Sequence, residues 1–245
     1  MSLSLAQKLS FRLATGWQQR TMARAVAGPV LSIGFDDAPR SAWTMGGQVL
    51  ADHGVRATYY VCGGLVDTDG ELGTYLTRAD LRALVAAGHE LGCHTFDHSS
   101  ALLAGAGRFA ASLEENARWL ADFTGGVAPC SFAYPYCHVG LAARRAAGAR
   151  FHTARAGGRA WNGPVFDPAV LAGWPLEARE GAVDYADLCQ AAARAGGWLV
   201  LFSHDVSERP GPYGCTPRQL DEVLRAARRA GMAILPAGDV ALVRR

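Results

Sequence analysis

The run VLSIGFDDAPR, residues 30–40, is mostly apolar until it reaches two adjacent acids, Asp36 and Asp37. Neighbours on a strand point to opposite faces, so paired carboxylates there either cap a following helix or do two different chemical jobs. A second polar cluster lies in CHTFDHSS, where His94 and His98 stand four residues apart. On a helix or tight turn that spacing can bring two imidazoles to one metal ion. A carboxylate from another strand would complete a site of two histidines and one carboxylate with room for water, the arrangement of catalytic zinc. The plainer reading of each motif alone is a capping acid or a pair of surface histidines. AYPYCH adds Tyr134, Pro135, Tyr136 and His138; LAGWP adds Trp174; LFSHDV adds His204 and Asp205.

These residues share one feature, which is that each follows an apolar run of strand type. Strands are expected at 30–35, 56–62, 89–93, 130–134, 149–153, 170–174, 198–203 and 232–235. Helical patterns fill most connections, at 41–53, 77–87, 108–123, 139–147, 184–195 and 217–230. Asp80, Asp184 and Thr216 stand near their starts, and Gly54, Gly88, Gly125, Gly148, Gly196 and Gly231 at their ends. Repeated β/α units with apolar strands predict an α/β fold, a distorted (β/α) barrel of seven to eight mostly parallel strands. Barrels of this kind carry their chemistry at the C-terminal ends of the strands, where the acids and histidines fall.

The chain has 245 residues, enough for one such barrel, with 50% apolar and 19% charged residues. A net charge of +2 and no basic stripe interleaved with aromatics argue against nucleic acid. Residues 1–28 form an expected helical extension to a catalytic barrel at 29–245. Within it, 4–26 read as one helix, with Leu5, Leu9, Leu13 and Trp17 at helical spacing and no acid before Asp36. Such a helix either packs across one end of the domain or makes peripheral contact with an anionic membrane surface. No secretory-type or membrane-spanning run is evident, which predicts a cytoplasmic chain, at the inner membrane surface if the helix binds lipid. The six cysteines lack CxxC spacing and are expected as thiols; Cys137 and Cys215 fall in loops that could pair in an oxidising compartment.

The ordered motifs resemble the polysaccharide deacetylases of carbohydrate esterase family four, the NodB homology domain. GFDDA stands where the family has T-F-D-D-G, HTFDH matches H-[ST]-x-x-H in full, AYPYC stands for R-x-P-Y-G, and LAGWP and FSH follow in order. The resemblance implies a divalent metal, Zn2+ or else Co2+ or another transition ion, on Asp37, His94 and His98. It implies Asp36 as general base, His204 as general acid and the Tyr136 backbone N–H as oxyanion donor. Trp174, Phe202, Tyr134 and Pro135 would border a carbohydrate substrate bearing an N-acetylated amino sugar. Hydrolysis of another C–N bond, such as a cyclic amide, and a carbohydrate-binding pseudoenzyme are the alternatives.

Two supports are missing where the family has them. Ala133 replaces the arginine that holds the base, and Gly173 replaces an acid that orients the histidine. Asp97 and Asp205 are the nearby candidates to take over.

Overall fold

The computed structural model describes residues 4–16, 22–179, 183–240 and 242–244. Seven parallel strands close into a barrel: β1 (Val30–Asp37), β2 (Thr58–Val61), β3 (Glu90–Cys93), β4 (Ser131–Ala133), β5 (Thr153–Gly158), β6 (Leu171–Pro175) and β7 (Trp198–Ser203). β7 closes the ring on β1, from Trp198↔Val30 to Ser203↔Phe35. An eighth short strand, β8 (Ala233–Ile234), pairs with the lower end of β1 while β2 takes the upper end. The ring is uneven. β3 and β4 meet in one residue pair, and the β5–β6 register shifts between Leu171 and Gly173.

The α-helices among the described residues are α1 (Leu5–Gly16), α2 (Gly47–Asp52), α3 (Arg78–Ala86), α4 (Ala106–Ala121), α5 (Leu141–Arg150), α6 (Tyr185–Arg194) and α7 (Pro217–Arg229). Capping boxes open two of them, Thr77 with Asp80 and Thr216 with Gln219, satisfying backbone donors that the first helical turn leaves free. Leu31, Ile33 and Phe35 of β1 join the large apolar layer beneath the helices. The alternate residues Ser32, Gly34 and Asp36 face the barrel interior. The lower interior is an apolar plug of Val30, Leu171, Trp198 and Val200, capped by Phe166, Ala237 and Val240. Above it the interior turns polar and is filled by two large side chains, Tyr60 and Arg155. Tyr60 fits because two strands offer glycine: a Cβ at Gly34 or Gly92 would stand 2.9 or 2.5 Å from its ring.

Two sequence expectations are corrected. The helix expected over 4–26 is described over Leu5–Gly16, and Met22–Arg24 form a strand pairing with Val165–Phe166 and Leu242–Arg244; Trp17 lies outside the described residues. The strand expected at 149–153 begins at Thr153 and runs to Gly158. Helix α5 continues through Gly148 to Arg150, carried by the helix-forming run LAARRAAGAR. Cys137 and Cys215 are both free thiols.

Candidate metal and catalytic site

β1 delivers the two acids in different directions. Asp36 keeps the strand alternation and points into the barrel, where Arg155 Nη2 donates to its Oδ1 at 2.6 Å and its Oδ2 at 2.5 Å. Asp37 leaves the strand at φ +59 and meets two histidines instead, with Oδ1 3.4 Å from His94 Nε2 and 3.2 Å from His98 Nε2. His94 follows β3 directly. His98 lies in the loop after it, which turns through left-handed residues at Thr95 and His98. That loop is pinned by Asp97, which accepts from Ser99 Oγ, Ser112 Oγ and Arg108 Nη2. The HxxxH pair therefore converges through a strained loop and not through a helix. Eight non-glycine residues among those described have positive φ, and six of them, Asp37, Ala38, Thr95, His98, Tyr136 and Cys137, belong to the loops that build this site. Strain concentrated this way is a mark of functional geometry.

The donor set fits a cation. His94 Nδ1 lies 2.8 Å from the Ala133 carbonyl, which fixes its proton there and leaves Nε2 a bare acceptor in the neutral ring. That acceptor faces Asp37 Oδ1, a buried oxygen without a hydrogen-bond donor. Only a positive charge between them, a proton or a metal ion, makes the contact favourable. Asp37, His94 and His98 offer ligand atoms all within 4.8 Å of one another. Burial works to raise the Asp37 pKa, but the neighbouring imidazoles of His94, His98 and His204 hold it far below the usual carboxylate range. Burial also opposes protonation of His94, yet Asp37 and Asp36 outweigh it and raise its pKa. His98 is pushed down to about 4 by burial and by the neighbouring His94. It is neutral at physiological pH and ready to ligate.

His204, after β7, brings Nε2 to 3.9 Å from Asp37 Oδ2. Its Nδ1 lies 3.3 Å from the Tyr213 carbonyl, and its backbone N–H donates to the same oxygen at 3.2 Å. Tyr136 sits at φ +58, mostly exposed, with its ring 4.4 Å from that of His98. His138 stands beyond it and pairs with Ser100 Oγ at 2.8 Å, outside the candidate ligand set. Trp174 is half-buried, and its indole Nε1 is enclosed without an acceptor. Phe202 lies face-on to the Arg155 guanidinium, 4.0 Å from ring centroid to Cζ. Tyr134 is a core residue: it is fully buried, its hydroxyl donates to the Ala169 carbonyl at 3.0 Å, and it has no surface to offer a ligand. Pro135 is buried beside it.

The support for Asp36 comes from neither Asp97 nor Asp205. Asp205 Oδ2 instead accepts from the Gly211 N–H and holds the 207–216 loop. Arg155 does the holding, and its position explains both departures in the motifs. Ala133 on β4 is the register partner of Arg155 on β5, so the guanidinium enters the same interior level from the adjacent strand. Gly173 on β6 makes the room: a Cβ there would stand 2.9 Å from Arg155 Cδ and 3.1 Å from Cγ. The sequence signal was the alternation in HTARAG, with Thr153 and Arg155 on one face. The strand expected at 149–153 stops short of Arg155.

No curated protein matches the chain. Among solved structures it is similar to a family 4 acetyl xylan esterase from Clostridium thermocellum in complex with a cobalt ion, at 19% identity over 86% of this chain and 89% of that one, TM-score 0.58. A peptidoglycan N-acetylglucosamine deacetylase matches at 16% identity over 90% and 93% of the two chains, TM-score 0.57. A mutant of a family 4 pseudoenzyme matches at 15% over 86% and 66%, TM-score 0.56. At such identities the likeness establishes the fold. A family model adds the sequence evidence, matching residues 23–151, more than half of the chain, and on that match the chain belongs to the polysaccharide deacetylase family.

Proposed function

We propose that this protein is a metal-dependent hydrolase that removes N-acetyl groups from an amino-sugar-containing glycan or glycan precursor. The observation that carries the reading is Asp36, a buried carboxylate clamped by Arg155 next to the candidate metal ligands. A protein that only bound carbohydrate would have no use for a buried carboxylate in that position.

Asp37, His94 and His98 would hold the ion, with Zn2+ or Co2+ suited to such ligands. When bound, the ion supplies Lewis-acid chemistry, acidifying water and offsetting negative charge on the acyl oxygen. Asp36 takes the proton from the attacking water, and Arg155 keeps its carboxylate oriented. The Tyr136 backbone N–H donates to the same acyl oxygen as charge builds there. His204 gives its Nε2 proton to the leaving amine, with Nδ1–H directed at the Tyr213 carbonyl. The C–N bond breaks, and acetate and a free amine leave. Trp174 borders the acyl methyl group, while Phe202 serves mainly to back the Arg155 guanidinium.

Acetate release from N-acetylglucosamine oligomers, after chelation and re-addition of zinc or cobalt, tests this. Metal-dependent acetate with a matching gain of free amine is the expected result. Metal uptake without acetate, across a panel that includes acetyl esters and cyclic amides, would overturn it in favour of a binding protein. Turnover confined to the esters or cyclic amides would move the substrate class.

A further inference from the structure

The amphipathic pattern of α1 is used the opposite way round from a core-forming helix. Gln7, Ser10, Phe11 and Ala14 form the face turned to the protein. Gln7 Nε2 donates to the Leu102 carbonyl at 2.7 Å, Ser10 Oγ accepts from the Leu141 N–H at 3.3 Å, and the Ala14 carbonyl accepts from Arg144 Nη1. The leucines fall on the far side, with Leu5 85%, Leu9 57% and Leu13 44% exposed. Residues four apart stack along one line of a helix, so these three make a continuous apolar ridge. Lys8 and Arg12 flank it, both exposed, and the helix carries no acid.

The N-terminal end of the ridge lies near the mouth of the barrel. Leu102 and Leu141, which α1 grips, follow the loops that carry His98 and Tyr136. Leu103, next to the gripped carbonyl, is itself 46% exposed. Of the large apolar side chains exposed among the described residues, Val127 alone lies away from α1 and the mouth loops; Tyr136 and Tyr213 complete the group. No helix among the described residues is long and apolar enough to cross a membrane.

We propose that α1 docks this protein on an anionic bilayer surface, with the Leu5–Leu9–Leu13 ridge in the acyl boundary and Lys8 and Arg12 at the headgroups. The charge pattern selects this occupant. A second copy of the chain would bring the same two cations to an acid-free ridge, whereas anionic headgroups match both the leucines and the cations. The inference concerns binding and stands whether or not the hydrolase reading does.

Co-sedimentation of the full chain with phosphatidylcholine vesicles, with and without phosphatidylglycerol, tests it. Binding is expected on the phosphatidylglycerol vesicles. It should weaken roughly tenfold or more in Leu5→Ser/Leu9→Ser and about fivefold for each cation removed in Lys8→Ala/Arg12→Ala. All four positions are exposed, and circular dichroism confirms that the variants fold. Failure to bind either vesicle, or binding indifferent to both double substitutions, would overturn the proposal. So would a concentration-dependent dimer that the leucine changes abolish, which would assign the ridge to a second copy.

Discussion

Asp36 and His204, the proposed base and acid, reach the candidate site from different strands and are held in contrasting ways. Asp36 is clamped inside the barrel by one side chain, a fully buried arginine itself backed by Phe202 and Tyr60. His204 is held at the barrel mouth by a main-chain carbonyl, that of Tyr213, on a loop that Asp205 pins through the Gly211 N–H. A side-chain support can move between strands during evolution and be removed by one substitution. A main-chain support tolerates change at its own residue and fails only when the loop shifts.

The largest effect tests the division between the two acids. Asp36→Asn should lower turnover by about 10² to 10⁴, the usual worth of a positioned base, while metal content stays that of the parent protein. His94→Ala should lose the metal. Loss of metal from Asp36→Asn would show that the two carboxylates exchange roles.

Next comes the clamp itself. Arg155→Met leaves Asp36 buried without its partner, and breaking one side of a buried ion pair costs about 3–5 kcal/mol. Urea denaturation should show that loss, and turnover should fall by about 10- to 100-fold, as when the residue orienting a reactive group is removed. The comparison sharpens with Ala133→Arg added to Arg155→Met. If the two strands offer equivalent entries to one interior level, the double variant recovers both activity and stability toward the parent. A double variant no better than Arg155→Met would show that the β5 position is required.

This contrast also explains what could be read in the sequence. Asp37 and His94 are legible because one ends and the other directly follows an apolar strand, His98 because it stands four residues on from His94, and the barrel because strands and helices alternate. Arg155 is not legible, because Gly148 reads as the end of α5 and so draws the expected strand forward to 149–153. Gly148 lies in a run of alanines and arginines whose helix propensity carries the helix past it. The role of Tyr213 was not legible either, since a carbonyl that orients a histidine leaves no trace in residue type. Tyr134 misled in the other direction. A tyrosine at a strand end reads as polar lining, yet its hydroxyl finds the Ala169 carbonyl and the ring stays in the core.

Intermediate effects come from the glycines that leave space on each side. Gly173→Ala would press on the Arg155 stem and on the Ala156 carbonyl at 3.2 Å. Phe202 blocks the guanidinium from retreating, so Asp36 should lose alignment and turnover fall by up to about tenfold. On the acid side, a Cβ at Gly214 would fall 2.1 Å from Asp205 Oδ1 and 2.7 Å from its carbonyl oxygen. Gly214→Ala must therefore shift the loop that carries the Tyr213 carbonyl, again with a loss of about tenfold, but with Asp36 and the barrel interior undisturbed. Both clashes fall among buried groups, so the pH profile of turnover separates the two, with Gly173→Ala altering the limb set by the base and Gly214→Ala the limb set by the acid.

The smallest effect tests the backbone side alone. Tyr213→Ala removes the ring that lies 5.5 Å from the His204 imidazole and 4.7 Å from Arg179 Cζ. The carbonyl that faces His204 Nδ1 remains, because every residue supplies one. Turnover of a small acetyl substrate should change by less than about threefold, and the pH profile should keep its shape, because the acid retains its orienting acceptor. A drop as large as that of Gly214→Ala would mean that the aromatic ring, and not the main chain, positions His204. The two sides of the site would then be held alike, each by a side chain.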